Sequence, residues 1–238
     1  MTVVSLAALE REVRKLANPT KAKSAAWFFK TGPGDYGEGD QFIGLTVPKQ
    51  RGIARRFREL PLSDALKLLK SPVHEKRLIA LFIMVEHYRR GDEAARHRVY
   101  QAYLRNTKLV NNWDLVDSSA AQIVGAHLTD KPRGILPKLA RSQSLWERRI
   151  SIIATYAFIK AGESRDTLKI AKLLLADEHD LIHKAVGWML RELGNRDPAA
   201  ERGFLDKHAD TMPRTMLRYA IEKFPETERQ RYLAARRR

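Results

Sequence analysis

Apolar residues recur along the chain every three or four positions, with Lys, Arg and Glu filling the intervals. No segment alternates apolar and polar residues as a half-buried strand would. The pattern predicts helices over residues 3–17, 20–30, 48–59, 63–70, 72–90, 92–106, 111–127, 132–141, 143–161, 164–176, 178–194, 197–208, 212–224 and 226–236. Asn18-Pro19 stops the first of them. Thr20, Ser63 and Asp197 stand where N-caps belong, and Gly91, Gly162 and Gly194 where a left-handed residue ends a helix. The connections are short, as helix hairpins require, and the expected fold class is all-α.

A longer period overlies the helical one. Glu75-Lys76-Arg77-Leu78-Ile79 matches Glu147-Arg148-Arg149-Ile150-Ser151 at an offset of 72 residues, twice 36. Trp113 falls midway, and Lys184 follows Arg149 by 35. Units of about this length, each with two helices, are the mark of an α-solenoid of HEAT-like repeats, here expected to span residues 1–238 as one domain. In a solenoid, equivalent positions share a concave face, which would carry Arg77, Trp113, Arg149 and Lys184. A curved row of cations with an aromatic among them suits a phosphate backbone. The one stretch without helical pattern is 30–44, rich in Gly. It follows a helix and lacks the Lys-Ser/Thr ending of a phosphate loop, so it reads as a structured surface loop.

Composition narrows the choice of partner. In 238 residues, 44 Lys and Arg face 28 Asp and Glu, a formal charge of +16, and there is no Cys. Disulfides, thiolate metal sites and cysteine nucleophiles are thereby excluded. A hydrophobic content of 44% is that of a folded chain, and excess positive charge on a folded chain favours a polyanion. The N-terminal segment mixes Glu10, Arg11 and Glu12 into its apolar positions, so no secretory leader is expected. The run Ile150–Ile159 is half the roughly 20 residues of a membrane span. A soluble, cytoplasmic protein with no membrane partner is the expectation.

The candidate chemistry clusters at helix starts. Trp113 and Asp117 are four apart and share a face, where an indole and a carboxylate together could hold a cation. Core packing of the Trp with an Arg-paired Asp is the plainer alternative. Asp114, a turn earlier, suits the helix N-terminus. Arg149 could pair with a carboxylate or grip phosphate with its planar fork. Trp188 sits in an apolar helix beside Gly187, which permits close approach, and Trp27-Phe28-Phe29 reads equally as helix-packing core. His179 and His183 have the i, i+4 spacing of a zinc helix, but Asp180 replaces the required Glu and no third ligand is evident, so no metal is expected.

Taken together, Trp27-Phe28-Phe29-Lys30, the Gly-rich loop, Phe42 through Pro48, Trp113 through Asp117, Leu145 through Arg149 and Lys184 through Glu192 resemble the DNA alkylation-repair family of AlkD-like, HEAT-like-repeat DNA glycosylases. The resemblance implies hydrolysis of the N-glycosidic bond of purines alkylated at N3 or N7, in duplex DNA and without a cofactor. It implies Asp117 as the catalytic carboxylate, Trp113 and Trp188 as cleft aromatics, and Arg149 as the cleft arginine. Phe28 stands where a Tyr can occur, and Lys184 and Arg77 would hold phosphates. A monomer, associated with the nucleoid when bound to DNA, is the corresponding expectation. A solenoid that binds branched or damaged DNA without catalysis, and a protein-binding HEAT scaffold, are the rivals.

Overall fold

The computed structural model describes residues 4–234, so the expected helices over 3–17 and 226–236 reach outside it at residue 3 and at residues 235–236. Every regular element among the described residues is helical, apart from an isolated parallel bridge between Gln41 and Val73. The chain divides into two compact units, the first ending at Ser119 and the second beginning at Ala120.

The first unit contains α1 (Leu6–Lys15), α2 (Pro19–Phe28), α3 (Val47–Arg56), α4 (Leu62–Leu69), α5 (His74–Arg90), α6 (Glu93–Arg105) and α7 (Trp113–Asp117). Its centre is α5, which packs against α3, α4, α6 and α7. Leu78, Ile79, Leu81, Ile83 and Met84 are fully buried there and cover more than one face of the helix. Each such side chain contributes about 1.5–3 kcal/mol by leaving water. By contrast α2 buries no residue at all. Its apolar positions are mostly alanines, and it is held by backbone: Asn18 N–H donates to Ile43 O at 2.8 Å. Gly44, at φ +81°, lies so close that a Cβ there would sit 2.1 Å from Asn18 O.

The second unit contains α8 (Ile135–Ala140), α9 (Leu145–Ala154), α10 (Tyr156–Lys160), α11 (Arg165–Leu173), α12 (Asp180–Gly194), α13 (Pro198–His208), α14 (Arg214–Ala220) and α15 (Glu226–Leu233). Here α12 is central, packed on α9, α11, α13 and α14. Ile182, Val186, Met189 and Leu190 form its buried stripe.

Two expected helices are broken. That over 111–127 stops after Asp117, where Ser119 Oγ donates back to Leu115 O at 2.6 Å and meets the Tyr103 hydroxyl at 3.0 Å. Such side-chain bonds compete with the helix ladder. The chain resumes as a π-helical turn at Ala121–Gly125. The helix over 143–161 breaks at Thr155, whose hydroxyl donates to Ile152 O at 2.7 Å.

Capping partly follows expectation. Asp197 accepts from Ala200 N at 2.9 Å, and Gly162 closes α10 at φ +83°. At α2, however, Asn18 is the cap, with Pro19 at the first position, in place of Thr20. Ser63 lies inside α4. Gly91 is extended and Gly194 is the last residue of α12, so neither is a left-handed stop.

Candidate functional site

One short helix holds two of the first unit's candidate residues. Asn112, fully buried, caps α7 by accepting the Trp113 amide at 2.8 Å. Trp113 opens the helix and Asp117 closes it, both partly exposed. Their i, i+4 spacing puts them on one face. Burial pushes the Tyr103 phenol above its ordinary pKa, and the negative charge of Asp117 adds to that push.

The Trp113 ring is braced. It stacks on Phe29 at 5.2 Å between centroids and meets Phe28 edge-on at 5.9 Å. Phe29 continues the stack to Phe42 at 5.1 Å and meets the His74 ring, tilted, at 4.8 Å. Phe29 therefore packs as expected of helix-packing aromatics, whereas Trp27, 83% exposed, and Phe28, 57% exposed, do not.

Beneath the stack lies an ion cluster that spacing along the chain does not reveal. Asp40, the last acid of the Gly-rich loop, accepts from Arg77 Nη2 at 2.5 Å, from His74 Nδ1 at 2.9 Å and from Asn112 Nδ2 at 3.3 Å. His74 Nε2 donates to Asp114 Oδ2 at 2.9 Å. With both ring nitrogens facing carboxylates, His74 is an imidazolium. Burial opposes its charge, but the hydrogen bonds to Asp114 and Asp40 prevail and raise its pKa to about 9. Burial likewise opposes the Asp40 charge, and the His74 bond and the Arg77 charge hold its carboxyl below the usual value. Two carboxylates and two cations thus balance out of water, as buried ions require. The cation also lies against the Phe29 and Phe42 rings, a favourable placement. Next to it, the Glu75 carboxylate accepts the amides of Ile43, Gly44 and Leu45 at 2.7–3.2 Å, a backbone nest for an anion.

Two expectations change here. Asp114 does lie in the first turn of α7, but it is a buried partner of His74 and not simply a helix-terminal group. Arg77 was expected on an exposed basic track, yet it is 4% exposed. Besides Asp40 it donates to Ser71 O and Pro72 O, at 3.1 and 3.2 Å.

In the second unit, Arg148 Nη1 makes the same contacts at the same relative positions, to Ser142 O and Gln143 O at 3.1 and 2.9 Å. Its Nε donates to Asp177 at 2.6 Å. His183 Nε2 reaches Asp177 O, six residues back, at 2.5 Å. Arg77, Arg148 and His183 are each the fourth residue of their helix. The structural repeat therefore pairs Arg77 with Arg148, one residue off the sequence match to Arg149. Arg149 is also buried, 5% exposed, with Nη1 donating to Leu181 O. The expected row of exposed cations is corrected accordingly, because two of its members are packed into the protein. Lys184 is partly exposed and pairs with Asp180 at 2.7 Å.

Trp188, partly exposed, donates its indole N–H to Glu192 at 3.0 Å and lies 6.4 Å from Tyr156. The expectation of close approach at Gly187 holds: a Cβ there would sit 2.4 Å from Met216 O. His179 caps α12 by accepting the Leu181 amide, and no group of three metal-ligating side chains occurs among the described residues. Trp113, Asp117, Phe28 and Arg77 thus belong to the first unit, and Arg149, Lys184 and Trp188 to the second.

Comparison with known proteins adds a family match. A family model described as DNA alkylation repair enzyme matches residues 9–224. Among solved structures, a protein described as a predicted DNA alkylation repair enzyme from Enterococcus faecalis is similar, with a TM-score of 0.68 and 17% identity. The match covers 88% of this chain and 97% of that one. No curated protein matches. Among the described residues no helix is long and apolar enough to cross a membrane.

Proposed function

Because the chain belongs to the DNA alkylation repair enzyme family, we propose that it is a DNA glycosylase that releases purines alkylated at N3 or N7 from duplex DNA and acts as a monomer. The observation that carries this reading is on α7: Trp113, braced by its stack on Phe29, stands one turn from Asp117 on the same partly exposed face.

An alkylated purine already bears a positive charge, so it departs without a strong general acid. As the C1′–N bond breaks, its electron pair neutralises the ring and positive charge moves to the sugar. Asp117 faces that oxocarbenium-like sugar as an anion, orients the attacking water and takes its proton as the water oxygen forms the new bond to C1′. Trp113 meets the cationic base through its π face. In the second unit, Trp188 offers a further aromatic surface and Lys184 a phosphate contact, while Arg149 acts from a buried position.

The test is release of 7-methylguanine and 3-methyladenine from methylated duplex DNA. Asp117→Asn should retain DNA binding and lose about 100- to 1000-fold in excision, the usual weight of one electrostatic contact to a transition state. Asp114→Asn should chiefly lower stability, since it weakens the His74 cluster. Wild-type excision by Asp117→Asn would sink the assignment. Tight binding by a wild-type protein that releases no base would mark a non-catalytic DNA binder.

A further inference from the structure

We infer that Trp27, at the exposed end of α2, lies against the sugar–phosphate backbone of duplex DNA beside the nucleotide met by Trp113 and Asp117. The inference rests on the reading that the chain binds DNA, but not on its cleaving a glycosidic bond.

A tryptophan in water leaves unburied one of the largest apolar surfaces a side chain offers. At 83%, Trp27 is the most exposed of the large apolar side chains among the described residues, and no ring contact holds it within the protein. Trp113, by contrast, is braced by Phe29, and Trp188 is bonded to Glu192. The direction of Trp27 is set by the two residues that follow it. Phe28 and Phe29 both meet the Trp113 ring, at 5.9 and 5.2 Å. Side chains one position apart on a helix diverge by about 100°, so Trp27 points aside from that stack into solvent. Through Phe28, the exposed indole adjoins the face that carries Trp113 and Asp117.

The charge around it has one sign. Lys21, Lys23 and Lys30 are exposed, α2 contains no carboxylate, and none of the three lysines is paired with one among the described residues. Other surface cations are answered: Arg89, Arg90, Arg133 and Arg202 each hold a carboxylate. An aromatic face set among unanswered cations matches alternating sugar and phosphate. The C–H face of a deoxyribose packs on the indole, and the flanking phosphates meet the ammonium groups. The contact is with the backbone, so it carries no base preference. A membrane of anionic lipid would satisfy the charge, but the other apolar residues of α2 are Pro19 and alanines, without the apolar stripe an interfacial helix needs.

The full-length protein should be titrated by fluorescence anisotropy with one undamaged duplex, as wild type, Trp27→Ala, Trp27→Phe and Lys23→Gln. Trp27→Ala should bind about tenfold more weakly, the order of loss for an aromatic anchor of an interface, and Trp27→Phe should recover most of it. Salt dependence separates the two kinds of contact: the log–log slope should be unchanged in Trp27→Ala and shallower by about 0.9 in Lys23→Gln. Because Trp27 is exposed, the thermal midpoint of Trp27→Ala should match wild type, which separates weaker binding from unfolding. Wild-type affinity in Trp27→Ala overturns the contact. So does a loss, in that variant, of binding to vesicles of anionic phospholipid while duplex binding stays intact. A wild-type protein that binds no duplex overturns the DNA reading as well. One that binds through Trp27 and releases no methylated base keeps the contact and loses the glycosylase.

Discussion

The fourth residue of a long helix is used alike in both units, and its surroundings differ. Arg77 on α5, Arg148 on α9 and His183 on α12 all reach back to the carbonyl six residues earlier. For Arg77 the clasp is completed by a carboxylate, an imidazolium and a second carboxylate, all out of water. For Arg148 a single carboxylate serves, and the guanidinium is more exposed. His183 has only the carbonyl among its short contacts named above. The contrast teaches that a cation recurring at the repeat period first ties each helix start to the segment before it. In the first unit the same device also fixes Trp113, because the His74 ring packs tilted against Phe29 and Phe29 stacks on Trp113.

The contrast can be broken most directly at the clasps themselves. Arg77→Met leaves Asp40 buried without its guanidinium and should cost about 3–5 kcal/mol, the usual penalty for halving a buried ion pair. Arg148→Met, which removes a more exposed guanidinium from a simpler cluster, should cost clearly less. Urea unfolding of both variants measures the difference, and equal losses would end the distinction drawn between the units.

The next effect is one of pH. His74 titrates at about 9 in the folded chain against an ordinary 6.5. A pKa raised by folding means that protonation stabilises. The contribution is complete below pH 6.5 and disappears as pH rises towards 9, amounting to about 3 kcal/mol. Asp40 works from the other side: its lowered pKa adds stability above the ordinary carboxylate range, lost as pH falls through its folded value. Thermal melts across pH 5–10 should show the alkaline loss in wild type and not in His74→Gln.

The second unit has its own buried titrating group with the opposite logic. Burial pushes Glu201 up to about 8, and its Oε1 has no hydrogen-bond partner. An acid raised by folding is comfortable only when neutral, so stability is complete below pH 4.5 and declines as pH rises to 8. Glu201→Gln should therefore match wild type near pH 4 and exceed it by about 1–3 kcal/mol above pH 8. A variant no more stable than wild type at pH 9 would refute this. The smallest effect expected is that of His183→Ala, about 1 kcal/mol for one hydrogen bond to a carbonyl, read from the same melts.

What the sequence made legible follows from range. Helical spacing, the Asp197 cap and the shared face of Trp113 and Asp117 depend on neighbours within a turn or two, and all of these are in the structure. The break after Asp117 depends on Ser119 bonding backwards, a signal present locally but hidden inside a good helical pattern. The His74 cluster joins residues up to 72 positions apart. Asp40 at the end of a Gly-rich loop, and a His-Glu pair opening an apolar helix, are the only local hints of it. The repeat was visible, but its register was set by chemical likeness between Arg77 and Arg149, whereas the backbone contacts select Arg148.

One consequence concerns time more than energy. Helix α2 buries no side chain, and a ten-residue helix is marginal on its own in water. Its detachment exposes little apolar interior, so opening should be frequent and local while α5 stays closed, as the low end of a native-state exchange profile requires. The amides of 21–28 should lose their protons to solvent deuterium well before those of 78–85. The helix that carries Trp27 and Phe28 then behaves as the first cooperative unit to come away from the protein.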